Sequence, residues 1–191
     1  MQVLYLSILI NMELETLRLK LKEITPDDIN DIHRLYSFPE IDEYNTMGIP
    51  ESIDETIEIV RLMIDVQQTE ERKSYTWKSV RKDSNEFVGT AGINLSANRF
   101  KMGEIFYELF PSQWGQGFAT EVAKALIKAG FEVFHLHRVE AGVATENIRS
   151  IRVLEKSGMT REGIKRKILP IRGEWKDNYH YAIVEDDRRD Y

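Results

Sequence analysis

Glu104-Ile-Phe-Tyr-Glu-Leu-Phe-Pro-Ser-Gln-Trp-Gly-Gln-Gly-Phe-Ala-Thr-Glu121 is the stretch on which the reading of this chain turns. Ile105 to Phe110 is short, aromatic and apolar, the composition of a buried strand. Gly115 and Gly117 then bracket Gln116, and neither carries a side chain that would shield the main chain. From Phe118 the period changes. Val122, Leu126 and Gly130 lie on one line and Ala119, Ala123 and Ile127 on the next, the broad apolar face of a helix running to about residue 134. A glycine turn that opens a helix lets several N–H groups converge at the positive end of its dipole, which makes a cradle for a phosphate. Two glycines one residue apart also occur in plain turns, so the surroundings must separate the two readings.

Upstream, residues 75–81 and 86–95 read as strands joined by the polar turn Lys82-Asp-Ser-Asn85, and a second polar loop leads into the strand 102–109, so three strands run antiparallel. Downstream, residues 138–144 form another short strand, and strand, helix and strand in that order imply a right-handed parallel crossover. A helix over 148–157 stops at Gly158, and residues 161–168 and 178–184 form a last antiparallel pair around a loop at 170–177. Before all of these, residues 17–22 alternate as a half-buried strand. Thr25, Pro26 and Asp28 start a helix with Ile29, Ile32 and Tyr36 inward, and 38–50 is a loop. Ser52-Ile-Asp-Glu55 starts a second helix with Ile53, Ile57, Val60 and Ile64 inward. The order β-α-α-β-β-β-α-β-α-β-β is that of an α+β fold. Its sheet is mixed and mostly antiparallel, with a single parallel crossover and the glycine turn at the end where such sheets bind ligands.

Composition narrows the function. With 191 residues, 42% hydrophobic and 30% charged, the chain can build one soluble domain with a substantial core. It has no cysteine, which excludes disulfides, thiolate metal sites and cysteine nucleophiles and is compatible with the cytoplasm. A formal charge of −6 and a pI near 5.4 argue against a nucleic-acid partner. The charge is uneven: residues 27–71 hold 13 acids against Arg34 and Arg61, whereas 149–176 hold nine basic residues against Glu155, Glu162 and Glu174. The first lobe suits cations and the second suits phosphates. His135, His137 and His180 lack a metal-ligand pattern. Trp77, Trp114 and Trp175 read as core or loop-packing residues. The apolar run Val3 to Ile10 is too short to span a bilayer and lacks the flanks of a signal peptide. Residues 1–11 therefore read as an N-terminal extension, an artefact of start-codon choice or an extra edge strand, ahead of a single domain over 12–191 whose last seven residues fray.

Three groups of these residues resemble the GNAT acyltransferase superfamily, and within it the branch of ribosomal-protein N-terminal acetyltransferases. Trp114-Gly-Gln-Gly-Phe-Ala-Thr-Glu121, after a strand ending Leu109-Phe-Pro111, resembles that branch's acetyl-CoA pyrophosphate loop. Asn147-Ile-Arg-Ser150 followed by Leu154-Glu-Lys-Ser-Gly-Met159 is similar to its Asn-x-x-Ser segment, and Glu162-Gly163 with Gly173, Asp177 and Tyr181 matches its closing hairpin. The resemblance spans about residues 15–184. It implies a three-layer α/β/α fold with a splayed strand pair that binds acyl-CoA. It also implies transfer of an acetyl group from acetyl-CoA to a primary amine, either a protein N-terminus or a small cationic molecule, and a possible homodimer through the closing hairpin. Modification of an antibiotic or a polyamine, and a non-catalytic CoA-binding sensor, are the alternatives. No metal, nucleic acid or membrane is implied.

The resemblance also distributes roles. The pyrophosphate falls to the main chain of Gly115, Gln116, Gly117, Phe118, Ala119 and Thr120, with Trp114 beside it. The pantetheine arm falls to the edge formed by Tyr107, Leu109 and Phe110, and to Asn147; the ribose phosphate falls to Arg149 and Arg152. N–H groups near Leu109 serve the oxyanion. Ser150 is the candidate donor to the leaving thiolate, or else the cap of the next helix, since the tyrosine that many superfamily members use falls at Leu154. The branch's hairpin glutamate falls at Leu169, which leaves Glu104 and Glu108, on one face of the strand, or a water relay, as the general base.

Overall fold

The computed structural model describes residues 12–189, and the expected extension at 1–11 lies outside them. The chain opens with a tight hairpin, β1 (Leu14–Glu15) and β2 (Leu19–Glu23), whose turn is held by the Thr16 hydroxyl accepting from Leu19 N at 2.8 Å. The strand starts later than its alternation suggests, because Leu17 lies in that turn and is exposed. Thr25 N donates to the Asp28 carboxylate at 2.8 Å, so the capping pair forms and leads through a 3-10 turn into α1 (Ile29–Tyr36). The expected loop that follows carries a short helix, α2 (Pro39–Asp42), started by Pro39. At α3 (Ile53–Asp65) Ser52 Oγ accepts from Glu55 N, while Glu55 turns back to accept from Glu51 N, so only half of the expected box is made. The inward face differs too: Thr56 and Val60 are buried, whereas Ile53 and Ile57 are exposed. A 2.8 Å hydrogen bond between Thr56 Oγ1 and His33 Nδ1 of α1 satisfies the buried hydroxyl and fits that roll of the helix.

β3 (Ser74–Arg81), β4 (Phe87–Leu95) and β5 (Met102–Leu109) form the antiparallel meander. α4 (Phe118–Glu132) buries Val122, Ala123, Leu126, Ile127 and Gly130, as its periodicity requires, and returns the chain to β6 (Arg138–Ala144). α5 (Ile148–Lys156) leads to β7 (Thr160–Ile171) and β8 (Glu174–Val184). The sheet runs β1-β2-β3-β4-β5-β6-β8-β7, and β5–β6 is its parallel pair. The expected loop at 170–177 is instead mostly strand. The hairpin continues to a two-residue turn at Arg172 and Gly173, both left-handed at φ 49° and 77°. Pro170 does not stop β7 because β7 is the edge strand and needs no ladder donor on its outer side. In the segment expected to fray, Glu185 N donates to His137 O at 3.0 Å, and the Arg189 guanidinium lies 4.3 Å over the Phe131 ring.

The two faces of the sheet carry separate cores. One, with Val88, Ile105, Leu109, Val122 and Leu126 among its members, packs α4 and α5 against the sheet. The other, with Ile32, Leu35, Tyr36, Val60, Phe87 and Phe110, packs α1 and α3 on the opposite side. Trp77 is fully buried in the first, while Trp175, read from sequence as a packing residue, is 62% exposed near the hairpin tip. No helix among the described residues is long and apolar enough to cross a membrane.

β4 and β5 approach closely through glycine. A Cβ on Gly89 would lie 2.1 Å from Glu108 O and 2.7 Å from Leu109 Cα. Gly89→Ala is therefore expected to lower the unfolding free energy by about 3 kcal/mol in urea titrations, because main-chain atoms cannot step aside as a side-chain tip can.

Candidate active site

β5 and β6 pair only at Met102 with Arg138, Gly103 with Val139 and Glu104 with Glu140, and then separate. The direction of the free main-chain groups follows from the bonds on the other side of β5. Phe110 N donates to Val88 O at 3.0 Å and Ser96 N to Met102 O at 2.9 Å, so even-numbered residues of β5 bond toward β4. Ile105, Tyr107 and Leu109 therefore turn their N–H and C=O groups into the fork. Trp114 Nε1 occupies the Leu109 carbonyl with a 2.7 Å hydrogen bond, which leaves the Leu109 N–H facing the gap.

A cavity of about 600 Å³ occupies this fork, lined by side chains from both faces of β5. It runs through the sheet. On the α4–α5 side it meets Tyr107, Leu109, Trp114, Gly115, Gly117, Phe118, Ala119, Thr120, Asn147, Ser150 and Arg152, together with Arg149 and Lys156. On the α1–α2 side it meets Glu40, Tyr44, Asn45, Glu104, Glu108, Leu169 and Asn178. The side chains of two residues expected at the cofactor site turn away from the cavity. The Phe110 ring is buried in the opposite core, edge-on to Phe38 and Phe87, because its even parity points it away from α4. Gln116 faces outward, its amide donating to Ser112 O at 3.0 Å.

The glycine turn has the backbone needed to converge N–H groups: Gly115 and Gly117 are left-handed at φ 73° and 84°, and Gly117 is the N-terminal cap of α4. The basic rim beside it is organised by Arg149, which stacks 4.3 Å over the Trp114 ring and lies 3.6 Å from the Glu43 carboxylate. Asn147, not Ser150, caps α5: its Oδ1 accepts from Ser150 N at 3.0 Å. The Ser150 hydroxyl is thereby released to meet the Tyr107 hydroxyl at 2.9 Å. Burial raises the Tyr107 pKa above its ordinary value, so this hydroxyl stays protonated. A tyrosine absent at position 154 is thus present in the same cavity from β5.

Glu104 and Glu108 share a face but not an environment. Glu104 is exposed at the closed end of the fork. Glu108 faces the α1–α2 side, where Asn45 Nδ2 donates to it at 2.7 Å and the Tyr36 hydroxyl lies close enough to influence its ionisation. Burial pushes the Glu108 carboxyl up to about 7, an effect only partly offset by Tyr36. No sequence signal pairs Tyr36 and Asn45 with Glu108, since they come from a helix and a loop some 60 or more residues upstream of it. Among the described residues no group of three or more His, Asp or Glu side chains is arranged to hold a metal ion.

A family model described as an acetyltransferase (GNAT) domain matches residues 18–160. The chain belongs to the GNAT acetyltransferase family. It is 34% identical over 172 residues to an uncharacterised N-acetyltransferase, YoaA, of Bacillus subtilis, a match covering 90% of this chain and 96% of that one. The fold is that of a GNAT acetyltransferase from Bacillus anthracis, 29% identical, at a TM-score of 0.80 over 92% of this chain and all of that one. Mycobacterium smegmatis RimJ, in complex with CoA-disulfide, is 21% identical and superposes at a TM-score of 0.84, covering 93% of this chain and 90% of that one. As a GNAT enzyme this protein is an acyltransferase that uses acetyl-CoA.

The raised Glu108 pKa has a consequence for stability. A carboxyl whose folded pKa exceeds its ordinary 4.5 makes ionisation costly in the fold, a cost absent below about pH 4.5 and complete above about pH 7. The cost is at most about 3 kcal/mol, and less to the extent that cavity water reaches the carboxylate. Glu108→Gln removes it, so the variant is expected to gain stability relative to the parent as pH rises from 4.5 to 7.5 in paired thermal melts, and to show no gain at pH 4.

Proposed function

We propose that this GNAT enzyme acetylates the primary amine of a cationic acceptor, a protein N-terminus or a small cationic molecule, by direct attack on acetyl-CoA. The observation that carries the mechanism is geometric: the half-buried Glu108 carboxylate, held by Asn45, lines the cavity on the strand whose next residue, Leu109, turns its N–H into the fork. The chemistry on the cofactor side suits an acyl-CoA: an anion cradle, an open strand edge that can pair with amides, and a basic rim at Arg149, Arg152 and Lys156. The CoA disulfide held by the mycobacterial neighbour agrees with it. On the acceptor side, Glu40, Glu104 and Glu108 line the cavity, next to the acidic segment 27–71. An ammonium group is favoured there over an anion.

In this mechanism the ammonium reaches the fork from the α1–α2 side and gives one proton to ionised Glu108, whose pKa near neutrality matches the task. The free amine then attacks the thioester carbonyl. Leu109 N–H donates to the developing oxyanion. As the C–N bond forms, the C–S bond breaks and the electron pair leaves with sulfur. Ser150, hydrogen-bonded to Tyr107, donates to the leaving thiolate. The product amide keeps one hydrogen; of the two protons lost from the ammonium, one goes to Glu108 and one balances the thiol.

The test is acceptor-dependent thiol release from acetyl-CoA with a panel of polyamines, aminoglycosides and short peptides with free N-termini. Release is expected, with kcat/KM rising through an ionisation near pH 7, and Glu108→Gln is expected to lower kcat by about 10²–10⁴. A protein that acetyl-CoA stabilises against heat but that releases no thiol with any acceptor would be a CoA sensor instead. Since Asn147 supplies the cap, Ser150→Ala is expected to lower kcat by about tenfold while changing stability by no more than about 0.5 kcal/mol in denaturant titration.

A further inference from the structure

Arg18 lies in the turn before β2, outside the cavity, yet its side chain is committed to the glycine turn. Its Nη1 donates to Gln116 O at 3.0 Å. Its Nε and Nη2 reach the Glu121 carboxylate at 2.8 and 2.7 Å, and its main-chain N donates to the same carboxylate at 2.7 Å. The guanidinium lies 4.3 Å over the Phe118 ring, and the Thr16 hydroxyl adds a further hydrogen bond to Glu121. One arginine thus ties the first hairpin to the turn, to the first helical residue of α4 and to the first turn of that helix.

We propose that Arg18 is a positioning residue for the acetyl-CoA pyrophosphate, acting by fixing the orientation of the Gln116–Gly117 peptide. In a trans peptide the carbonyl of one residue and the N–H of the next point in opposite directions, and the described chain has no cis bond. With Gln116 O held outward on Arg18, Gly117 N–H is aimed the other way. The lining of the cavity has the same polarity: Gly115 and Gly117 to Thr120 border it, whereas Gln116 and Arg18 do not. Left to itself this peptide has little to hold it, because the glycines at 115 and 117 rotate with little steric cost. Rotation would remove one donor from the cradle and turn a carbonyl oxygen toward a dianion. Arg18 excludes that state and places its own positive charge behind the turn. Lysine has no planar fork and cannot hold Gln116 O and Glu121 together in this geometry.

The inference rests on the acetyl-CoA reading above, and the choice of acyl donor separates the two. S-acetylpantetheine carries the thioester and the amide arm but no diphosphate. Steady-state kinetics with both donors, at a saturating amine, are compared for the parent, Arg18→Ala, Arg18→Lys and Glu121→Gln. Arg18→Ala is expected to raise KM for acetyl-CoA about tenfold, the loss typical of hydrogen bonds that involve a charged group, with kcat nearly unchanged. Its kcat/KM with S-acetylpantetheine is expected to stay within about twofold of the parent. Arg18→Lys restores little, and Glu121→Gln, which loosens the anchor, moves KM in the same direction by less. Equal losses on both donors in Arg18→Ala and Glu121→Gln would show a general structural role and overturn the proposal, as would an unchanged KM for acetyl-CoA. Absence of CoA binding by the parent would overturn the acetyl-transfer reading and this proposal with it.

Discussion

The parting of β5 from β6 after Glu104 is the constraint on which the rest of the site depends. A sheet that stays paired satisfies its own main-chain groups and has no room for a ligand. Here three residue pairs hold the strands together and then the ladder stops, leaving N–H and C=O groups that must find partners elsewhere. Trp114 takes the Leu109 carbonyl, and the remaining open edge is what an extended, amide-bearing molecule can complete. The opening persists because each strand is anchored on its far side: β5 by a full ladder to β4, and β6 by a full ladder to β8.

The fork also explains how one strand presents two different faces to one cavity. Alternation along β5 sends Ile105, Tyr107 and Leu109 toward α4 and α5, and Phe106 and Glu108 toward α1. Tyr107 and Ser150 therefore meet on the side of the glycine turn, while Glu108 waits on the side of the acidic segment. The two cores that clamp the sheet make these environments different. Glu108 is half-buried beside Asn45, and burial raises its proton affinity; Glu104, at the exposed end, shares its parity but not its surroundings. Two carboxylates on one strand face are separated by burial, not by chemistry.

The cradle depends on distant chain as well. Gly115 and Gly117 supply the conformational freedom to form it, and freedom alone does not choose an orientation. Arg18 holds the Gln116 carbonyl and is itself held by Glu121 of α4, 103 positions away. Asn147 illustrates the same economy at α5: by capping the helix it releases the hydroxyl of Ser150 toward Tyr107.

Local patterns in the sequence were sufficient for the α+β order apart from the short β1 and α2, for the crossover from β5 through α4 to β6, for the helix faces of α1 and α4, and for the place of the glycine turn. Each of these rests on a period of two or of 3.6, or on a residue with one backbone property. They misjudged α3, where Thr56 is buried and hydrogen-bonded to His33, and the β7–β8 hairpin, where Pro170 is tolerated at an edge. Neither fact is local. Tertiary structure alone decided that Glu108 is the more buried carboxylate, that Tyr107 partners Ser150, that Phe110 and Gln116 turn away from the cavity, and that Arg18 reaches the turn. Desolvation, side-chain partnership and peptide orientation are set by atoms that are neighbours in space and strangers in the chain, and no periodicity records them.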